Sequence, residues 1–129
     1  MPRLTSHVVK LQAVRGAITC DEDTKEEIEA KTTRLVKEVL ARNDLTPDDL
    51  VSIIFTTTPD LHAQFPATVA RTTLGLEDVA LLGAVEQDVP HGMPRCIRLL
   101  VHCYTEKPRK DLRHVFLEGA SALRADLAQ

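Results

Sequence analysis

Cys96-Ile97-Arg98-Leu99-Leu100-Val101-His102-Cys103-Tyr104 is the stretch on which the fold turns. It is apolar enough to be a buried strand, and a strand's period of two sorts it cleanly. Ile97, Leu99, Val101 and Cys103 share one face; Cys96, Arg98, Leu100, His102 and Tyr104 share the other. A guanidinium in such a run loses hydration, which is costly unless an anion meets it. Glu86, at the end of the apolar run Val79-Ala80-Leu81-Leu82-Gly83-Ala84-Val85, is a candidate neighbour. Two readings stay open from these residues. Arg98 and Glu86 form a structural ion pair, or they line a pocket whose missing partner is an anionic ligand.

Working outward, His7–Arg15 reads as a first strand with Val9, Leu11 and Ala13 toward the core, ending just before Gly16. Thr24-Lys25-Glu26-Glu27 is a capping box, with Glu27 reaching back to the cap. Ile28, Thr32, Leu35, Val36, Val39 and Leu40 then recur at helical spacing to about Arg42, where Asn43 is a stop. Glu27 with Lys31 and Arg34 with Glu38 are spaced to pair on the wet side. Pro47 opens a short helical turn, and Leu50–Thr57 is a β-branched strand stopped by Pro59. Pro66 starts a second helix closing at Gly75. Residues 79–86 and 96–104 are the third and fourth strands, separated by a loop holding Pro90, Gly92 and Pro94. His114–Leu117 is a short fifth strand. The order β-α-β-α-β-β-β predicts an α+β fold, a mixed sheet with helices on one face. The expected organisation is one domain over 1–129, with a flexible leader at 1–6 and an irregular or helical tail at 118–129.

Composition narrows the function. A net charge of -3 over 129 residues argues against nucleic acid as a partner, and three Phe, one Tyr and no Trp leave little surface for stacking bases. No run approaches the roughly 18 apolar residues of a membrane span, and the N-terminus lacks a secretory signature. Cys20, Cys96 and Cys103 are odd in number and without a CxxC, as in a reducing compartment. The chain therefore reads as cytoplasmic. The histidines His7, His62, His91, His102 and His114 show no HxH or HExxH spacing, so no metal site is expected. There is neither a GxSxG turn nor a glycine-rich phosphate loop, so no cofactor is expected either.

What remains is arginine. Arg15, Arg71, Arg98 and Arg124 stand at element ends, on a helix, within a strand and in the tail, and arginine is the residue suited to bidentate carboxylate recognition. His62 and His114 read as hydrogen-bonded structural groups, Asp60 as a turn or cap residue, and Phe65 and Phe116 as core or pocket wall.

Several blocks in order are then familiar: Val14-Arg15-Gly16-Ala17, Thr24-Lys25-Glu26-Glu27-Ile28, and Thr58-Pro59-Asp60-Leu61-His62-Ala63-Gln64-Phe65-Pro66-Ala67. Glu86 to Asp88, Cys96-Ile97-Arg98 and Arg113-His114-Val115-Phe116-Leu117-Glu118 continue the series. Together they resemble the monofunctional chorismate mutases of the AroH class. The resemblance implies a homotrimeric pseudo-α/β-barrel with active sites between subunits, rearranging chorismate to prephenate without metal or cofactor. It implies that Arg98 donates to the substrate ether oxygen, that Glu86 accepts from its hydroxyl, and that Arg15 pairs with a carboxylate. Phe65, Ala67, Thr68, Arg71, Leu82, Gly83, Phe116, Leu123 and Arg124 would line or gate the cleft. Three positions depart from the family pattern: Phe116 where a relative has Tyr, Thr68 where Lys occurs, and Gly83 for a larger side chain. Two other readings compete, a Rid-like trimeric imine deaminase and a non-catalytic carboxylate-binding regulatory module. The first would need a positioned water, for which no obvious residue set exists.

Overall fold

The computed structural model describes residues 8–129, so the leader at 1–6 and His7 lie outside the described residues. Five strands form a single mixed sheet: β1 (Lys10–Thr19), β2 (Leu50–Thr57), β3 (Ala80–Val85), β4 (Cys96–Thr105) and β5 (Val115–Leu117), in the order β3-β2-β4-β1-β5. β4, the strand expected to be buried, stands at the centre of the sheet and runs antiparallel to both its neighbours β1 and β2. β3 adds to β2, and β5 to β1, in parallel. The helix α1 (Lys25–Arg42) crosses from β1 to β2, which run parallel with β4 between them, and α2 (Pro66–Thr72) from β2 to its parallel partner β3.

One face of the sheet carries the core. Ile97, Leu99, Val101 and Cys103 of β4 are buried there, as their alternation predicts, with Ile53 and Phe55 of β2. Ile28, Leu35, Val36 and Val39 of α1 and Ala70 of α2 close over them. Burial on that scale, at roughly 25 cal/mol per Å² of apolar surface, is the main force holding the layers together.

β1 departs from expectation in two ways. It continues past Arg15 and Gly16 to Thr19, and the side chains it buries under α1 are Val14 and Ile18, with Ala17 buried on the other face, whereas Val9 and Leu11 are more than half exposed and Ala13 is half-buried. Both alternating sets of β1 mix apolar and polar residues, so the phase is decided by which set meets α1. Gly16 marks that contact: a Cβ there would come within 3.0 Å of Leu99 Cδ1 and 3.2 Å of Leu35 Cδ1.

Helix α1 begins as predicted, with the Thr24 hydroxyl accepting from the Glu27 amide at 3.1 Å. Glu27 itself accepts from the Asp21 amide at 2.7 Å and not from the cap, so the box is only half closed. The expected pairs Glu27/Lys31 and Arg34/Glu38 are replaced as well. Lys31 and Arg34 both reach Glu118 at the start of the tail, and Glu38 takes Arg42. Asn43 does more than stop the helix. Its amide donates to the carbonyls of Val39 and Arg113 and accepts from the Arg113 amide, tying α1 to the approach of β5. After Leu117 the chain forms a 3-10 turn at Glu118–Ala122 and then loose turns, in keeping with an irregular tail. Among the described residues no helix is long and apolar enough to cross a membrane.

Candidate active site

Among the described residues neither α-helix covers the second sheet face, and register lays its side chains out in rows. Phe116, Ala17, Arg98, Thr56 and Ala84 form one row across β5, β1, β4, β2 and β3. Arg15, Leu100, Ile54 and Leu82 form the next. Glu86 follows β3, and its amide donates to the Thr57 carbonyl at 2.8 Å, which turns its side chain back over Thr56.

Arg98 and Glu86 do meet. Arg98 Nε stands 3.6 Å from Glu86 Oε2, a charge contact beyond hydrogen-bond reach, with the two side chains 41% and 31% exposed. The guanidinium is thus less dehydrated than its apolar strand suggests, because β4 presents it on the helix-free face. Glu86 is fixed independently: Oε2 accepts from the Thr56 hydroxyl at 3.0 Å and Oε1 from the Gln87 amide at 3.2 Å. Thr56 was not among the candidates read from the sequence. No local pattern marks it, and it matters through its position opposite Arg98. Ion pair and pocket prove to be the same feature, since both groups line a recess of about 330 Å³.

Arg15, Phe116 and Arg124 line that recess too. Arg15 is oriented from its backbone, where its amide donates to His114 Nδ1 at 2.9 Å. That bond makes Nδ1 the acceptor of a neutral ring. Burial holds the His114 pKa below the ordinary histidine value, with Arg15 and Arg124 adding to the shift. Cys96 lies beside Arg98 in a small buried cluster with Ala17, Phe116 and Ala120, against which Leu123 packs. Burial raises the Cys96 thiol pKa, and the neighbouring guanidinium only partly offsets it. Asp60 lies in a turn, one of the two expected roles, and both its oxygens accept from the Arg95 amide, at 3.1 and 2.9 Å, one residue before β4.

The other candidates lie elsewhere. Phe65, 73% exposed, and Gly83 line a groove of about 320 Å³ with His62 and Gln64. Ala67, Thr68 and Arg71 are on α2, with Arg71 exposed, and Leu82 projects 61% exposed from edge strand β3. One chain therefore carries two separated groups. Arg98, Arg15, Phe116, Leu123 and Arg124 lie toward β1 and β5, with Glu86 reaching in from the end of β3. Phe65, Ala67, Thr68, Arg71, Leu82 and Gly83 lie along the β3 edge.

The recess offers three guanidiniums and one carboxylate, an excess of positive charge suited to a small dianion. Its fixed donors could also stabilise charge that develops on an oxygen during a reaction.

Comparison with known proteins agrees on one family. The family model described as chorismate mutase type I matches residues 11–127. The chain is 39% identical over 118 residues to chorismate mutase AroH of Bacillus subtilis (strain 168), covering 92% of this chain and 93% of that one. It is 42% identical over 118 residues to chorismate mutase AroH of Thermus thermophilus, covering 91% and 96%. Among solved structures, a chorismate mutase from Clostridium thermocellum superposes with a TM-score of 0.83 at 46% identity, covering 85% of this chain and 97% of that one.

Proposed function

The chain belongs to the type I chorismate mutases, and we propose that the recess holding Arg98 and Glu86 is where it rearranges chorismate to prephenate. It is an isomerase of aromatic amino-acid biosynthesis. The reaction is intramolecular: a C–O bond breaks as a C–C bond forms, with no proton transfer or nucleophile. Such a step is accelerated by holding the compact reactive conformer and by meeting the negative charge that grows on the departing ether oxygen.

In this reading Arg98 donates to that oxygen and to a substrate carboxylate, using its planar fork. Glu86 accepts from the substrate hydroxyl and is held for that role by Thr56 and Gln87. Arg15 and Arg124 take the carboxylates, and the Phe116 ring forms a wall. The observation that carries the reading is the Arg98–Glu86 contact, with Glu86 anchored from two sides and Arg98 half open to the recess.

Three copies complete the site in a homotrimeric barrel. The helix-free sheet face exposes Leu11, Leu82 and Tyr104, apolar surface that invites cover. A neighbour's β3 edge would bring Phe65, Ala67, Thr68, Arg71, Leu82 and Gly83 to face Arg98. A cytoplasmic home is supported by three free, buried cysteines.

Mixing the purified protein with chorismate and following the loss of its absorbance tests this directly. Turnover that disappears in Arg98→Ala is the expected result, and absence of turnover in the native chain would refute the reading.

A further inference from the structure

Arg124 is occupied before any substrate arrives. Its Nε and Nη2 donate to Oδ1 and Oδ2 of Asp126, each at 3.0 Å, in the paired geometry of guanidinium and carboxylate. In a free, exposed tail such a pair would be unremarkable. This tail is not free. The His114 amide donates to the Ala128 carbonyl at 2.9 Å, while the His114 ring accepts from the Arg15 amide. One buried histidine thus ties the chain just beyond Asp126 to the strand that carries Arg15. Leu123 and Leu127, on either side, pack on the Ala17, Cys96 and Phe116 cluster beside the recess. Arg15 also contributes, after Arg124, to holding the Asp126 carboxyl below the ordinary carboxylate range. Finally, Asp126 lines an adjoining recess of about 570 Å³ on the same sheet face, where Arg15, Arg109 and Lys110 are its charged neighbours.

We propose that Asp126 is a built-in competitor for the substrate: it occupies Arg124 in the resting enzyme, and a chorismate carboxylate takes its place. The displaced Asp126 turns toward Arg109 and Lys110, which line the same recess and can accept it. Asp126 is then a positioning residue that sets affinity. It keeps Arg124 extended over the site while opposing any anion too weak to displace it. The inference rests on the recess being the chorismate site.

The test is steady-state kinetics on the full chain with Asp126→Asn, Arg124→Ala and the double variant. Asp126→Asn lowers KM by about two- to fivefold, the scale of a partly exposed charge pair, and tightens inhibition by the product prephenate in parallel. Asp126→Glu, which keeps a carboxylate, stays near the native KM. In the Arg124→Ala background the asparagine substitution leaves KM where Arg124→Ala alone puts it. A KM that is unchanged or raised in Asp126→Asn overturns the proposal, as does the same decrease without Arg124. Asp126→Ser makes the same test if the amide variant folds poorly. Native turnover without the KM shift sinks this inference alone, whereas no native turnover sinks the assignment of function.

Discussion

Replacing Arg98 by lysine separates a structural charge from a catalytic one. The pair it makes with Glu86 is 3.6 Å long, lacks a hydrogen bond through Nε, and is more than a third open to water at Arg98. Bare Coulomb attraction at that distance is about 5 kcal/mol at an effective dielectric of 20. Solvent screening and side-chain entropy reduce measured pairs of this exposure to about 1 kcal/mol or less, and lysine keeps part of that. Arg98→Lys should therefore shift the urea midpoint by the equivalent of about 1 kcal/mol at most, with the m-value unchanged at fixed protein concentration. Catalysis should respond far more. An ammonium is a point donor and cannot place two coplanar N–H groups on an ether oxygen and a carboxylate. Loss of one such preorganised donor costs about a hundred- to a thousandfold in kcat, some 3–4 kcal/mol of barrier. Chorismate absorbance gives kcat, and urea titration gives stability on the same preparation. A variant within tenfold of native kcat, or one whose activity loss merely tracks unfolding, would refute the role assigned to Arg98.

Four further outcomes follow from the same geometry. Leu11→Asp places a charge on the helix-free face opposite Tyr104, several rows from Arg98; sedimentation should show trimer giving way to monomer, with turnover lost alongside. His114 has a depressed folded pKa, so the unfolded chain binds the extra proton. The stability it supports is full above pH ~6.5 and is lost as pH falls through that value toward the folded pKa. Melting curves between pH 8 and 5 should decline accordingly, and His114→Gln, which keeps an acceptor for the Arg15 amide, should flatten the decline. Burial pushes the Cys20 thiol up to about 12 and raises Cys96 and Cys103, so a thiol reagent at pH 8 should label none of them natively and all three after unfolding. Phe116→Tyr returns a phenolic hydroxyl to the recess wall and should lower KM by about fivefold, the worth of one neutral hydrogen bond; an unchanged KM would show that the hydroxyl has no partner there.

Much of this protein is written in short stretches of its sequence. Thr24 and the apolar spacing after it specify α1 to within a residue, because capping and a period near 3.6 are local. The alternation of β4 puts Arg98 opposite Leu99 in the same way. What the chain alone left open are the matters that need a second element. Period two says which residues of β1 share a face but not which face is covered, and contact with α1 chose Val14 and Ile18 over Leu11 and Ala13. Lys31 and Arg34 lie within reach of helical carboxylates, yet tertiary approach brings them Glu118. Thr56 gains its place under Glu86 only through the register of β3 on β2, and its place opposite Arg98 through that of β2 on β4, both set by pairing across dozens of residues. Residue types and local spacing sufficed to name the charges of the recess. Which charges stand together, and which wait at the far edge of the sheet, was decided by the pairing of distant strands.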